Sequence, residues 1–294
     1  MAKDRRMVFL TDIDDTLVDR KKELSEENRK AIEIFLEEGN VFAISTGRTA
    51  MAASRVVREL GIYGQKNVYI SCYDGGMLID TESGKVLSKR TIPLPVVYRF
   101  FDLARAFGIH LQTYQGDDVL SEDDDENLNQ YCTVLKLPKK VVTDIRKELT
   151  EEPCKIIALE FRDPEKVARF REWIAPQFEG ELDVFGSSRF MLEVVPHGVN
   201  KGTGLRNLCS LLQIPVEDSV SAGDAENDEA MIRAAGVGCA MANAMPYLRE
   251  IADYVTERDC DHSGVAEILY RFCISKEKKP ACEAEECPLQ EQKQ

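Results

Sequence analysis

A cluster of carboxylates follows the first apolar run of the chain. Residues 7–10 have the length of a short strand, and Asp12, Asp14 and Asp15 come almost directly after it. Carboxylate oxygens are the ligands that hard divalent cations prefer, so the cluster predicts part of a metal site. An Asp-rich loop is also typical of turns and helix caps, and on its own the cluster leaves both interpretations open.

Polar groups follow two further apolar runs of strand length. Residues 41–44 lead into Thr46, Gly47 and Arg48, where a hydroxyl and backbone N–H groups at a helix start suit a phosphate. Residues 219–222 lead into a second acidic cluster that could complete a hard-cation site. The polar members of that cluster are Asp224, Glu226, Asn227 and Asp228.

Lys201 lies in a glycine-containing turn at residues 198–203. The turn lacks the spacing of a P-loop, but its ammonium can supply positive charge to a phosphate. Taken singly, Thr46, Lys201 and Asp228 would be a buried hydroxyl, a surface lysine and a charge at a helix start. A surface lysine would cost little stability when removed. The occurrence of all these groups in this order is hard to explain by structure alone.

Strand and helix patterns alternate around these groups. Ser25 is placed to cap a helix that Gly39 ends, and the other segments have similar start and stop signals. This rhythm predicts an α/β fold with a doubly wound parallel sheet, in which ligands bind beyond the carboxyl ends of the strands. The predicted strands are 7–10, 41–44, 68–72, 219–222 and 237–241, and the predicted helices are 25–38, 50–60, 203–212 and 228–235.

The pattern changes between residues 85 and 192. Hairpin-like strands and two amphipathic helices, at about 95–107 and 139–149, predict an inserted α/β domain. Residues 1–84 and 193–274 would then form one core domain, and the polar segment 275–294 a disordered tail. Cys282 and Cys287 in that tail are too few ligands for a metal clip, and the acidic run 123–126 is expected to be a solvated loop.

Composition narrows the class of protein. The chain has 294 residues, of which 44% are hydrophobic and 31% charged, as in ordinary globular domains. No apolar run reaches the roughly 18–20 residues of a membrane helix or forms a signal-peptide core, so a cytoplasmic location is expected. Nine scattered cysteines in a chain of this size predict reduced thiols. The net charge of −14 opposes nucleic-acid binding, and no obligate protein partner is evident.

Taken together, the motifs resemble the haloacid dehalogenase (HAD) superfamily over almost the whole chain up to about Ala266. The late lysine motif, the long insertion after Gly75 and Gly76, and the closing residues 264–266 resemble in particular the Cof-type, class IIB branch, whose members are mostly sugar-phosphate and related phosphatases with an α/β cap. The matching residues are Asp12, Asp14 and Thr16 (first motif, DxDxT), Thr46 (second), Lys201 (third), and Asp224, Asn227 and Asp228 (fourth, GDxxND).

The resemblance implies a phosphatase that removes a phosphoryl group from a small metabolite, such as a sugar phosphate or a phosphorylated cofactor. Asp12 would be the nucleophile that forms an aspartyl phosphate, and Asp14 the general acid and base. Asp12, the backbone carbonyl of Asp14 and Asp224 would hold Mg²⁺, with Asp228 supporting them. The phosphoryl oxygens would be bound by Thr46, Lys201 and Asn227, with Gly47 and Arg48 beside them.

Two residues depart from the family pattern, and other interpretations stay open. Asp15 replaces the usual Gly, and Asp74 replaces the usual Asn and adds a negative charge. A phosphomutase shares the same core and nucleophile, whereas a phospho-accepting receiver module would lack the large insertion. A dinucleotide-binding oxidoreductase is disfavoured because no GxGxxG follows the first strand. Tyr114 and His197 are further substrate-contact candidates that the sequence does not rank.

Overall fold

A computed structural model of the protein describes residues 5–279, which form two β-sheets flanked by helices. The strands up to residue 89 are β1 (Val8–Thr11), β2 (Val41–Ser45), β3 (Val68–Cys72), β4 (Met77–Asp80) and β5 (Val86–Lys89). Those between residues 110 and 196 are β6 (His110–Gln115), β7 (Asp118–Ser121), β8 (Lys139–Val141), β9 (Ile156–Leu159), β10 (Leu182–Ser188) and β11 (Met191–Pro196). The last three are β12 (Ser219–Gly223), β13 (Val237–Ala240) and β14 (Tyr254–Val255).

Ten α-helices connect these strands in the described part of the chain. They are α1 (Glu26–Glu37), α2 (Ala50–Glu59), α3 (Leu94–Phe107), α4 (Glu126–Leu135), α5 (Ile145–Glu148), α6 (Pro164–Ile174), α7 (Lys201–Leu212), α8 (Glu229–Ala234), α9 (Pro246–Ile251) and α10 (Gly264–Ile268). Two short 3₁₀ turns matter for the site, Tyr73–Gly75 and Glu226–Asp228.

The first sheet has the order β14-β13-β12-β1-β2-β3-β4-β5. Its strands are parallel from β14 to β3, and β4 and β5 add an antiparallel edge. The predicted doubly wound α/β fold is therefore confirmed. Because the central strands are parallel, the loops after β1, β2, β3 and β12 all emerge at the same edge of the sheet.

Buried aromatic rings attach helix α1 to this sheet. The Ser25 side chain accepts a hydrogen bond from the Asn28 N–H, which starts the helix at the predicted residue. Phe35 on the buried face meets Phe9 of β1 edge to face, with ring centroids 6.3 Å apart. Burial of a Phe side chain contributes about 1.5–3 kcal/mol, so contacts of this kind hold the strand ends in place.

The second sheet has the order β10-β11-β9-β6-β7-β8. Its neighbours are antiparallel except for β7 and β8, and helices α3 and α6 pack on it through Phe100 and Phe170, whose rings lie 6.0 Å apart. Strand β5 lies within the predicted insertion but pairs with β4 of the first sheet. We therefore propose that the inserted cap runs from about residue 90 to Pro196, a few residues later than predicted at each end.

The predicted helix at 139–149 is wrong over most of its length. Lys139–Val141 forms strand β8, which pairs with β7, and only Ile145–Glu148 is helical. The helix starts late because the Asp144 side chain accepts a hydrogen bond from the Arg146 N–H and so caps it there. The acidic run also differs from the expected loop at its end: Asp125 caps α4 and Glu126 is its first residue.

Seven cysteines in the described part of the chain are buried free thiols, which confirms the expectation for those residues. Cys282 and Cys287 lie outside the described residues, as does most of the predicted disordered tail at 275–294. Among residues 5–279, the helices are too short or too polar to cross a bilayer.

Candidate active site

Asp12 and Lys201 meet at the shared edge of the first sheet. Asp12 follows β1, and its backbone N–H donates to the Ala222 carbonyl of β12 at 3.0 Å. Lys201 is the first residue of α7, and its ammonium lies 2.6 Å from Asp12 Oδ1 and 2.6 Å from Asp228 Oδ1. The lysine is buried, so these two carboxylates are what keeps it charged: burial lowers its pKa, but Asp12 and Asp228 raise it by more.

Asp228 is held by backbone groups as well as by Lys201. Its Oδ2 accepts hydrogen bonds from the N–H groups of Asp224 and Ala225 at 2.9 and 3.0 Å. A Cβ on Gly223 would come within 2.4 Å of the Asp228 Cβ, so only glycine fits at that strand end. Asp228 therefore fixes both the lysine and the loop that carries Asp224.

Three carboxylates lie close together and offer the oxygen ligands of a cation site. Asp12, Asp224 and Asp228 each offer an oxygen atom within 4.8 Å of the others. Burial raises the pKa of Asp12 and that of Asp224 above the usual range, and the neighbouring Asp228 charge raises both further, so a bound cation would favour the ionised forms. Thr16 donates to Asp224 Oδ1 at 2.7 Å and orients it. An all-oxygen set with few carboxylates fits a small hard cation that keeps some of its waters.

Asp14 lies beside this cluster in a different environment. Arg48 Nη2 lies 2.7 Å from Asp14 Oδ1, and Lys22 Nζ lies 3.2 Å from the same oxygen. Burial raises the pKa of Asp14, but the Arg48 and Lys22 charges outweigh burial and hold that pKa below its usual value. Asp15 has a φ of 59°, and its carbonyl accepts a hydrogen bond from Asn243 at 2.8 Å, so the Asp at this position adopts the left-handed turn.

Thr46, Gly47 and Arg48 form a loop after β2, here called the phosphate loop after the role that the sequence predicts for it. The Thr46 hydroxyl accepts a hydrogen bond from the Arg48 N–H at 3.2 Å. Two backbone bonds join the loop to the turn after β3: Tyr73 N–H donates to Arg48 O at 3.1 Å, and Asp74 N–H donates to Thr46 O at 3.0 Å. The loop is thereby fixed beside the carboxylate cluster.

Sequence reasoning missed a second charged group next to this loop. Lys155, directly before β9, lies 3.1 Å from Asp74 Oδ2 and also pairs with Glu193 of β11, and all three residues are buried. Asn227 Nδ2 donates to Asp74 Oδ1 at 3.3 Å and so joins this group to the predicted site. Only the unusual Asp74 signalled the group in the sequence.

A cavity of about 360 Å³ opens beside Lys201 and Asn227. Phe185 of β10 lines it from the cap, and Arg233 of α8 lines it from the core.

Tyr114 and His197, the two further substrate-contact candidates from the sequence, do not line this cavity. The Tyr114 hydroxyl is buried against that of Tyr131 at 2.6 Å, and His197 is exposed and paired with Asp183 at 2.9 Å.

A sequence profile of the haloacid dehalogenase-like hydrolase family matches residues 9–269 of the chain. The chain belongs to this family. It is 27% identical over 264 residues to 5-amino-6-(5-phospho-D-ribitylamino)uracil phosphatase YcsE of Bacillus subtilis, an alignment that covers 90% of this chain and 94% of the relative. Phosphatases among its relatives confirm the prediction that this hydrolase is a phosphatase.

Solved structures show the same architecture. A haloacid dehalogenase-like hydrolase from Bacteroides thetaiotaomicron superposes with a TM-score of 0.82 at 28% identity, covering 91% of this chain and 99% of that one. The HAD subclass IIB sugar phosphatase BT4131 superposes with a TM-score of 0.74 at 20% identity, covering 90% and 98%. The second likeness shows the fold alone. The predicted assignment of the chain to the Cof-type HAD phosphatases is confirmed by the family match together with the phosphatase relatives.

Proposed function

We propose that this phosphatase requires Mg²⁺ and hydrolyses a small phosphorylated metabolite through an aspartyl phosphate on Asp12. The observation that carries the proposal is the position of Asp12, whose Oδ1 lies 2.6 Å from the buried Lys201 ammonium within a group of three carboxylates. A carboxylate held this way is oriented for attack and is next to the positive charge that a phosphoryl group needs.

The geometry of the carboxylates supports different roles for the metal ligands and for Asp228. Asp228 already binds Lys201 and two backbone N–H groups, so we assign Asp12, Asp224 and the backbone carbonyl of Asp14 to Mg²⁺. When bound, Mg²⁺ supplies positive charge that offsets the repulsion between the attacking carboxylate and the phosphoryl dianion. Asp228 keeps Lys201 charged and in place.

In the first half-reaction, an Asp12 oxygen forms a bond to phosphorus while the bond from phosphorus to the leaving oxygen breaks. Thr46, Lys201 and Asn227 bind the phosphoryl oxygens, with the phosphate-loop residues Gly47 and Arg48 alongside. Asp14 gives its proton to the leaving oxygen. In the second half-reaction, Asp14 takes a proton from water, which attacks phosphorus and releases phosphate and free Asp12.

Arg48 is also proposed to control the ionisation of Asp14. Its guanidinium bonds both Asp14 oxygens, at 2.7 and 2.8 Å, and favours the ionised carboxylate. That arrangement suits Asp14 as the base of the second half-reaction. For the first half-reaction Asp14 must carry a proton, so the Arg48 side chain has to turn away from Asp14 and is then free to meet the substrate.

The substrate is small. The cavity next to Lys201 and Asn227 has a volume of about 360 Å³, and Phe185 gives it an apolar wall on the cap side. One relative acts on a phosphorylated ribityl chain attached to a uracil ring. A phosphorylated polyol or sugar, free or attached to a ring, is therefore the substrate class that we propose.

The test is phosphate release from a panel of sugar phosphates, nucleotides and phosphorylated cofactors such as pyridoxal phosphate, with Mg²⁺ and with EDTA. We expect release of inorganic phosphate from at least one sugar or polyol phosphate, and none in EDTA. Conversion of a sugar phosphate to its isomer without phosphate release would instead identify a phosphomutase. An Asp12→Asn variant that retains turnover would refute the covalent route.

A further inference from the structure

Lys155 reaches from the cap into the core at the phosphate loop. Its ammonium donates to the Gly47 carbonyl at 2.5 Å, lies 3.1 Å from Asp74 Oδ2 and also contacts Glu193. The Lys155 and Asp74 side chains are each 2% exposed and that of Glu193 is 7% exposed, so water does not screen these charges. A buried cation and two buried anions thus join the cap to the loop.

The loop packs directly against the two carboxylates. A Cβ on Gly47 would lie 3.1 Å from both Asp74 oxygens and 3.3 Å from Glu193 Oε2. The turn that carries Asp74 is also strained, since Tyr73 and Asp74 have φ values of 52° and 54°. Non-glycine residues rarely adopt this conformation, and strain of this kind is concentrated at functional sites.

Negative charge at this position would oppose phosphate binding. Asp74 accepts a hydrogen bond from Asn227 at 3.3 Å, and Asn227 is a residue that we assign to the phosphoryl oxygens. With all three groups ionised, the cluster of Asp74, Lys155 and Glu193 carries one net negative charge. Without Lys155 it would carry two.

We propose that Lys155 is a positioning residue for phosphate binding: it holds the Gly47 carbonyl and offsets Asp74 and Glu193, so that the phosphate loop accepts a dianion. This inference rests on the proposed function. It also implies that protonated Glu193, which makes the cluster neutral, favours binding, and that loss of this proton weakens binding.

Among Asp74, Lys155, Glu193 and the groups that face them, the Glu193 proton is the one that changes near neutral pH. Burial and the neighbouring Asp74 raise the pKa of Glu193 to about 7, despite the Lys155 charge. Lys155 and Lys201 stay charged because their carboxylate partners outweigh burial and raise their pKa. The other titratable groups near the cluster are phenols and thiols, and burial raises the pKa of each above its usual value. They are Tyr73, Tyr114, Tyr131, Cys72 and Cys154.

The test measures the Kd of inorganic phosphate by calorimetry, in Mg²⁺, for the full-length wild type and Glu193→Gln between about pH 6 and pH 8.5. Comparing the two proteins at each pH cancels the titration of phosphate itself. The amide introduced by this substitution has no proton to lose, so the ratio of wild-type to variant Kd should be close to one at the acidic end. At the basic end this ratio should rise to roughly tenfold, because the ionised Glu193 of the wild type then repels the bound phosphate at short range in a buried site.

Lys155→Met is the second variant, and it should weaken phosphate binding by at least roughly tenfold. Lys155→Arg, which keeps the charge, should recover part of that loss. A Kd ratio for Glu193→Gln that stays flat across the pH range would overturn the proposal, as would a folded Lys155→Met that binds phosphate like the wild type. Failure of the wild type to bind phosphate at every pH would overturn the proposed function, and this role with it.

Discussion

The Lys201 ammonium lies 2.6 Å from Asp12 Oδ1, and the lysine side chain is fully withdrawn from solvent. The same ammonium lies 2.6 Å from Asp228 Oδ1. Taken singly, Lys201 is expected to be a surface lysine, and this expectation is wrong because the residue is buried. The small stability cost expected for its removal depends on that exposure. A buried cation that compensates two carboxylates contributes to stability as well as to the proposed phosphate binding, because its removal leaves two anions that the protein largely shields from water.

Lys201→Ala should lower phosphatase activity on the order of a hundredfold or more, because we propose that the ammonium binds the phosphoryl group. It should also lower the free energy of unfolding by about 3–5 kcal/mol, the cost of leaving buried charges without a partner. Phosphate release and urea unfolding at pH 7 measure the two effects.

The matched control for Lys201 is the double variant Lys201→Ala with Asp228→Asn. Removing one of the two unpaired anions should restore part of the lost stability, whereas activity should stay low. If Lys201→Ala unfolds at the same urea concentration as the wild type, or if the double variant regains turnover, the dual role of Lys201 is wrong.

Metal identity is the second prediction. EDTA should abolish turnover, Mg²⁺ should restore it, and Ca²⁺ should restore it poorly. The proposed ligands, Asp12, Asp224 and the backbone carbonyl of Asp14, make a small set that suits an octahedral ion with bound waters, whereas Ca²⁺ takes more ligands at longer distances. Phosphate release after chelation and after addition of each ion is the measurement. Full turnover in metal-free buffer would exclude the metal role.

Asp74 and Glu193 should give opposite pH dependences of stability. Burial raises the pKa of Asp74, but Lys155, a hydrogen bond with Glu193 and the Lys201 charge together outweigh burial, and the net result is a lower value of about 2. The stability that Asp74 contributes is therefore present above pH 4 and lost as the pH falls towards 2. The expected loss in the free energy of unfolding is on the order of 2 kcal/mol, since each unit of pKa shift corresponds to about 1.4 kcal/mol. Relative to Asp74→Asn, the wild type should lose stability in urea unfolding as the pH falls through that window.

The pKa of Glu193 is raised from 4.5 to about 7, so its protonated form is the one that the fold favours. Between those values the native state binds more protons than the unfolded chain, and wild-type stability should fall as the pH rises. Glu193→Gln removes this titration, so its stability relative to the wild type should increase from about pH 4.5 to pH 7. If the difference in free energy of unfolding between the two proteins stays constant across that pH range, Glu193 does not titrate as described.

The sequence predicted the parts of the site that follow strand ends. Asp12, Thr46 and Asp224 each come directly after a short apolar run, and a parallel sheet brings such positions to one edge. Lys155 and Glu193 could not be found in this way. They belong to the cap, and they meet Asp74 only because the cap packs on the core, which no local pattern records.

The limits of local patterns also explain the errors in the fold. Lys139–Val141 was assigned to a helix because apolar residues recur at helical spacing through this segment, yet pairing with β7 makes it a strand. Strand pairing is a tertiary contact, and it overrides a weak helical pattern. The helices capped by Ser25 and Thr49, whose signals are local, begin where they were predicted.

The sharpest prediction separates Asp12 from Asp14. Asp12→Asn should abolish both turnover and any covalent phosphoenzyme, because an amide is a poor nucleophile. Asp14→Asn should keep the first half-reaction with an activated aryl phosphate, whose leaving group hardly needs a proton. The amide cannot activate water, so the second half-reaction should be blocked. The variant should therefore accumulate phosphate on Asp12.

Mass spectrometry of Asp14→Asn mixed with such a substrate should show a single phosphate increment, and the kinetics should show a burst followed by very slow turnover. Arg48→Met is the matched control, because it removes the group that bonds Asp14 at 2.7 Å and leaves the Asp14 carboxyl itself in place. This control should show weaker substrate binding and no accumulated phosphoenzyme, since the base is still present. Slow, burst-free turnover by Asp14→Asn without any mass increment would mean either that Asp14 is not the base or that water attacks the substrate directly.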